Sequence, residues 1–529
     1  MAQHYLFILM SFFVSCKNDL PKQIAISKPV IVVLDTAKNR NSIAIDTAQI
    51  HKYKSELLNS FYAAKDNKTF WLSSDQRKTL ISILKKSDKE GLNPNDYEVK
   101  KLSEFQEKET NLSELEWITY DLTLTNSFQK YIAHLSNGKL NPREIYTDWD
   151  LKENQIDINE TINNIQKSDS LIEKIELLKP NNLVYKELKK ALEIINDLPN
   201  DNFKIIETTK KKFIPKDSNS VLIPIKKRLI YWNDMSSKDS LTKVYNKETV
   251  EAVKQFQTRH GLASDGVIGI STITALNFSK TQRKQQIIAN LERWKWFPRE
   301  LGNHYIIVNI PDYRLNVIKN NDTILEKRIV VGTAKRKTPI LTSTFSNIVL
   351  NPTWTVPPTI LKEDLVPSAS KNRNYFASRQ IIIYDFNQNI INPLNWNPEK
   401  AEKYKYVQNS GYNNSLGTVK FNFPNRHSVY LHDTNHRDFF VKNYRSLSSG
   451  CVRVENPLPL AVYMLNDDKK WSLEKVNEVV KTKKLTSIPL KEKINIHQFY
   501  WTAWSEKNKL IFRDDIYTLD ADLYAKLRN

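Results

Sequence analysis

The sequence predicts an α+β multidomain chain: a helical scaffold, a compact helical unit and a β-rich domain, in that order. Three observations carry this. At 529 residues the chain exceeds what one hydrophobic core serves, so three or four domains are expected. Up to about residue 277 the apolar residues recur at spacings of three and four, the period of an amphipathic helix. From about residue 302 the pattern changes to short β-branched or alternating runs separated by turn residues, the signature of strands.

The chain opens "MAQHYLFILMSFFVSC". Tyr5 to Val14 form an apolar run of signal-peptide length. Val14-Ser15-Cys16 resembles a lipobox, in which the cysteine is diacylated and becomes the first mature residue. Residues 1–16 are therefore expected to direct export, with Cys16 lipidated and the protein held in the periplasm by a membrane anchor. Residues 17–45, polar with scattered Ile and Val, read as a linker. No segment reaches the ~18 apolar residues of a transmembrane helix. The formal charge of +20, from 79 basic and 59 acidic residues, is spread along the chain without a basic block, and no nucleic-acid partner is expected.

Residues 46–205 read as the helical scaffold domain. "SDQRKTLISILKKSDKEGLNP" and "ELEWITYDLTLTNSFQKYIAHLSNGKLNP" carry the helical period, and each ends in a glycine followed shortly by Asn-Pro, which stops a helix. Residues 221–277 form the compact unit. Asn246 is the expected N-cap of its main helix, and Val250, Val253 and Phe256 give the apolar stripe. A turn at Asp265-Gly266 precedes a second helix through Ile273 and Leu276. The run "AVKQFQTRHGLASDGVIGISTITALN" resembles the small three-helix peptidoglycan-binding domain. Residues 302–478 hold the candidate strands "YRLNVI", "KRIVVG", "QIIIYD" and "SVYLHD", with "LPLAVYMLND" as a helix. Trp354, in "NPTWTVP", is expected in the core. Residues 485–529 read as two short strands and a final helix, an extension packed on the preceding domain.

The chain has two cysteines, Cys16 and Cys451. With Cys16 at the signal end, Cys451 has no disulfide partner in its own chain, which leaves an inert buried thiol or a nucleophile. A thiol near its free pKa of ~8.5 is only slightly ionised at neutral pH, so a nucleophile needs a base or a positive pocket. His427, His432 and His436 lie close upstream. If Val429 and Leu431 point to the core, Tyr430 and His432 share the opposite face of a strand. That makes His432 the candidate base and leaves His436 in the following loop. In a chain with ten glycines, the one beside Cys451 is informative. Ser449-Gly450-Cys451 permits close backbone approach and N–H groups aimed at an oxyanion. Arg453 would share a face with Cys451 in an extended segment, to hold a carboxylate or brace the loop. Histidine precedes cysteine here, the reverse of the order in papain-like and cell-wall amidase cysteine peptidases.

The block "YLHDTNHRDFFVKNYRSLSSGCVRVEN" resembles the active-site segment of L,D-transpeptidases, cysteine enzymes that cross-link peptidoglycan. The resemblance extends to "NLERWKWFPRELGNHYIIVNIPDYRLNVI", "VVGTAKRKTPI", "LNPTWTVPPTI", "SLGTVKFNFPN" and "FRDDIYTLD". It is closest to the large branch that joins a scaffold domain, a peptidoglycan-binding domain and a YkuD-type catalytic domain. Ser449 stands where smaller members carry histidine, as is characteristic of that branch. The resemblance implies that His432 takes the Cys451 proton and that the thiolate attacks the carbonyl preceding the terminal D-Ala of a stem tetrapeptide. D-Ala leaves, and a side-chain amine of a second stem resolves the thioester as a 3→3 cross-link. It further implies oxyanion N–H groups around Ser449, Gly450 and Cys451, and the Asp433 carbonyl orienting His432. Tyr430 and Arg453 would be pocket residues, with "KFNFPN" and an insertion at about 360–415 forming or bordering a flap over the cleft. The implied partners are peptidoglycan stem peptides and glycan, with no cofactor and no metal. An L,D-carboxypeptidase, in which water resolves the thioester, and a non-catalytic wall-binding lipoprotein stand as alternatives.

Overall fold

The structure, a computed structural model, describes residues 41–146, 149–168, 170–238 and 241–529. The signal segment, Cys16 and the linker up to residue 40 lie outside the described residues. The first core spans residues 45–175 and is built around the helix Glu114–Asn137. That helix starts at a reciprocal cap between Ser113 and Glu116, which satisfies N–H groups otherwise left open at a helix start. Buried Asp121 accepts hydrogen bonds from the Phe70 and Trp71 N–H groups and the Tyr62 hydroxyl, fastening the preceding chain to it.

The helix Leu183–Asp197 lies within the expected 46–205 unit but faces a different core. Its stripe of Tyr185, Leu188, Leu192 and Ile195 enters a second core, shared with the helices Lys247–Arg259, Ile270–Leu276 and Lys280–Trp296 and with residues 499–527. A helical period shows that a face is apolar, but not which neighbour covers it.

The β-rich domain holds β1 (His304–Asn309), β2 (Arg314–Lys319), β3 (Asp322–Gly332), β4 (Leu341–Thr344) and β5 (Asn347–Leu350). An insertion carries β6 (Trp354–Thr355), β7 (Ile381–Tyr384), β8 (Ile390–Ile391) and β9 (Lys405–Gln408). Then follow β10 (Val419–Asn422), β11 (Leu431–His432), β12 (Ser446–Ser448), β13 (Val452–Val454), β14 (Thr486–Pro489) and β15 (Asn495–Phe499). The main sheet runs β14-β5-β10-β11-β13-β3-β2-β1-β15-β4, with β12 paired to β3. Its core includes Ile306, Val317, Val331, Phe421, Leu431 and Val452.

Two expectations change here. Of "KFNFPN", residues up to Asn422 belong to β10, a central strand between β5 and β11, so this segment does not itself form the flap. The cap is the 354–408 insertion, which has its own sheet and a core of Phe376, Trp396 and Tyr406. The tail is likewise no simple extension. β15 lies inside the main sheet, parallel to β1 and antiparallel to β4. The hairpin β16 (Ala503–Glu506) and β17 (Lys509–Phe512) and the helix Asp520–Arg528 then lie against the helical units. Asn290 donates to the Thr502 hydroxyl (2.8 Å), and Arg293 pairs with Asp520 (2.9 Å), both in the interior. Pairing between strands almost 200 residues apart leaves no local signal in a sequence. Among the described residues no helix is long and apolar enough to cross a membrane.

Candidate active site

The site follows from the register of three short strands. Lys420 of β10 stands opposite His432 of β11, and His432 stands opposite Arg453 of β13. Paired residues project to the same side of a sheet, and residues two apart do too. Tyr430 and Cys451 therefore make the next row, and Val452 N–H donates to Tyr430 O (3.2 Å). Leu431 and Val452 point the other way and are fully buried. One face of three strands thus gathers Tyr430, Cys451, Lys420, His432 and Arg453.

The nucleophile loop is held from below. Gly450 is buried with φ of +114°, a conformation that side chains disfavour. Ser448 Oγ donates to Cys451 O (2.6 Å) and accepts the Gly450 N–H (3.2 Å). This turns the Gly450 N–H away from the oxyanion role expected of it. The Cys451 N–H bonds to no described residue. Thr338 Oγ1 donates to Gly450 O (2.8 Å) and accepts the Gly332 N–H (2.8 Å). Beneath it, the Tyr517 hydroxyl donates to Gly332 O (2.8 Å) and accepts the Thr338 N–H (3.0 Å). Ser449 is exposed, and its hydroxyl accepts from Arg336 Nη1 (2.9 Å). Arg336 also pairs with Glu363 (2.7 Å) and Asp364 (2.6 Å) of the cap. One guanidinium thereby links the cap to the nucleophile loop.

His432 is buried, and its Nδ1 bonds the Asp433 carbonyl. A carbonyl only accepts, so the proton sits on Nδ1, and Nε2 keeps a lone pair for a thiol proton. The Asp433 carboxylate accepts from Thr418 N–H and Oγ1 (both 2.9 Å) and from Arg437 (2.7 Å), which fixes the segment carrying that carbonyl. Burial pushes the His432 pKa down to about 3, helped by the Arg453 charge, opposed by the Asp433 carbonyl and helped again by Lys420. Burial also pushes the Cys451 thiol up, against the Tyr430 N–H and hydroxyl and the Lys420 and Arg453 charges.

Both shifts favour uncharged partners, so the resting pair is thiol and imidazole. A raised thiol pKa moves thiolate formation to higher pH, while a lowered His432 pKa leaves the imidazole unprotonated throughout the neutral range. Alkylation of Cys451 by iodoacetamide is expected to rise through a single inflection above the ~8.5 of a free thiol. No step is expected near 6.5. An inflection between pH 4 and 6, the mark of a preformed thiolate–imidazolium pair, would contradict this.

The two rows open into a cleft of about 610 Å³, walled by Cys451, Tyr430, His432 and Arg453 and by Trp354 and Ile360 of the cap. A larger cleft of about 710 Å³, between the 211–272 unit and the β-rich domain, holds no cysteine and is not the seat of thiol chemistry. Trp354 lies at the edge of a core and not inside one. It is partly exposed, packs against the core of the cap and lines the cleft. His427 also lines the cleft, with its Nε2 unpartnered. His436 stacks on Phe439 (5.1 Å between centroids) and lies outside the cleft lining. Lys420, Thr338, Arg336 and Tyr517 were not singled out from the sequence. Among the described residues no cluster of three or more His, Cys, Asp or Glu side chains is disposed to hold a metal ion.

Three family models match the chain. The scaffold domain matches residues 56–192, the "Putative peptidoglycan binding domain" residues 223–276, and the L,D-transpeptidase catalytic domain residues 303–477. A curated relative, "Putative L,D-transpeptidase" from Haemophilus influenzae, is 36% identical over 241 residues, 45% of this chain. The chain spans about half the length of that relative, 49%. Among solved structures, an L,D-transpeptidase from Xylanimonas cellulosilytica is 12% identical, covering 55% of this chain and 100% of its own, with a TM-score of 0.18. One from Stackebrandtia nassauensis is 13% identical, covering 55% and 97%, with a TM-score of 0.22. These two overlays are too loose to bear on the site. The domain matches thus run along the chain as a scaffold domain, a domain of peptidoglycan-binding type and an L,D-transpeptidase catalytic domain, with Cys451 and His432 inside the last.

Proposed function

We propose that this protein is a peptidoglycan L,D-transpeptidase that forms 3→3 cross-links through a thioester on Cys451. The single observation that supports this most is the strand register that sets Cys451 and His432 on one face of one cleft. His432 Nε2 takes the thiol proton as Sγ attacks the carbonyl before the terminal D-Ala of a tetrapeptide stem. The oxyanion is met by the Cys451 N–H. The C–N bond breaks, His432 returns the proton to the leaving amine, and D-Ala departs. The acceptor is the side-chain amine of the third residue of another stem, diaminopimelate. It attacks the thioester, giving up its proton to His432, and the thiol is restored. Both half-reactions pass through the same base.

The same proposal places the protein outside the cytoplasmic membrane, in the periplasm, exported by residues 1–16 and held by lipid on Cys16. The unit at 223–276 would hold glycan near the catalytic cleft.

The test is trapping. Incubation with a carbapenem, whose strained amide acylates thiolates, is expected to add one equivalent of mass to the wild-type protein. Cys451→Ala is expected to gain none. A folded wild-type protein that gains no adduct, or an adduct that persists in Cys451→Ala, would overturn the assignment.

A further inference from the structure

Two cations flank His432 in the register, Lys420 on β10 and Arg453 on β13. Neither forms an ion pair within the described residues. Lys420 is accounted for: its Nζ lies 3.9 Å from the centre of the Tyr430 ring, a cation–π contact behind the cleft. Arg453 is different. It lines the cleft, and its Nε and Nη1 are buried with no hydrogen-bond partner. Its one ring neighbour, Phe439, is 5.7 Å away, and Asp438 pairs with Lys442 instead (3.9 Å). A guanidinium with open, buried donors costs folding free energy unless something fills them. Its planar fork matches a carboxylate.

The chemistry says which carboxylate. Resting on the transpeptidase reading, the leaving amine must sit at His432 Nε2 to receive its proton. In a terminal D-Ala, the carboxylate carbon lies only about 2.5 Å from that nitrogen. The carboxylate must therefore lie beside His432, where neighbouring strands stand ~4.8 Å apart. The acceptor amine of diaminopimelate also has a carboxylate on the same carbon and attacks from the same place. We infer that Arg453 is a specificity-determining residue that grips the α-carboxylate next to the reacting amine, on the leaving D-Ala in acylation and on the acceptor in resolution. One added residue moves the terminal charge by ~3.8 Å, so the contact selects tetrapeptide over pentapeptide donors.

The experiment offers tetrapeptide stems ending in free D-Ala or in D-alaninamide and follows acylation of Cys451 by intact mass. The wild-type protein is expected to favour the free acid by roughly 10- to 100-fold, the scale of a charged hydrogen bond. In Arg453→Gln the acid-to-amide ratio falls to near one, and Arg453→Lys recovers part of it. A ratio within one variant cancels any change in thiol reactivity or folded fraction. A third stem, amidated only at the side-chain carboxylate of its third residue, is expected to keep the Arg453-dependent preference. Loss of the preference with that stem would assign Arg453 to the other carboxylate and overturn the proposal. So would an unchanged ratio in Arg453→Gln, or a ratio that collapses in Lys420→Gln instead. No acylation by either stem, from a protein whose Cys451 still reacts with iodoacetamide, would overturn the stem-peptide reading and this proposal with it.

Discussion

His432→Ala slows acylation of Cys451 by about 10²–10⁴-fold, the range of a lost general base. The size follows from the resting state. Cys451 is held as a thiol by burial, and the positive charges of Lys420 and Arg453 do not offset this. Without a proton acceptor the nucleophile is the small thiolate fraction left at neutral pH. His432 is the acceptor because its Nδ1 is fixed on the Asp433 carbonyl and its Nε2 is unprotonated. His427 also lines the cleft, and His436 lies nearby in sequence, so both make demanding controls. His436→Ala and His427→Ala are expected to change the acylation rate less than about tenfold. The measurement is the pseudo-first-order rate of carbapenem adduct formation. A loss in His427→Ala equal to that in His432→Ala would show that the base has been misassigned.

Gly332→Ala is expected to cost about 1–3 kcal/mol of stability and about 10²-fold in acylation rate. A Cβ at Gly332 would stand 2.1 Å from Arg336 O and 2.7 Å from Thr338 N, both backbone atoms that cannot rotate aside. The 333–338 turn would have to open. Thr338 would then lose its hold on Gly450 O, and the Tyr517 hydroxyl its bridge between Gly332 O and Thr338 N–H. The nucleophile loop rests on that stack, and shifts of about 1 Å in such positions are costly. Urea unfolding followed by tryptophan fluorescence, with adduct formation on the folded protein, reads both effects. Wild-type acylation in Gly332→Ala would mean that the loop does not depend on this support.

What could be read in advance depended on distance along the chain. The alternation Val429, Tyr430, Leu431, His432 contains its own statement of which residues face the core. Gly450 beside Cys451 signals a tight turn in a glycine-poor chain. Those cues are local, and they nominate Cys451 and His432, while the choice of a nucleophile over an inert thiol rests on the resemblance of the whole block. Lys420 became a neighbour of His432 only through the β10–β11 register, which no local pattern states. Tyr517 lies 185 residues from Gly332, the residue whose carbonyl it holds, and looked like part of a tail. Trp354 looked like a core residue because an aromatic in a β-rich run usually is one. The cap's position relative to the cleft turns it into part of the wall. The helix Leu183–Asp197 shows the same limit in the scaffold. Its apolar face was evident, while its partners lie on the helix Lys280–Trp296 and on β16 and β17, far along the chain.

Whether an amine or water resolves the thioester is decided by the product. Isolated murein sacculi are incubated with the wild-type protein or with Cys451→Ala, digested with a muramidase and resolved by mass spectrometry. The account predicts that 3→3-linked dimers accumulate with release of D-Ala, and that neither change occurs with Cys451→Ala. Free tripeptide stems without 3→3 dimers, or dimers formed equally by Cys451→Ala, would contradict it.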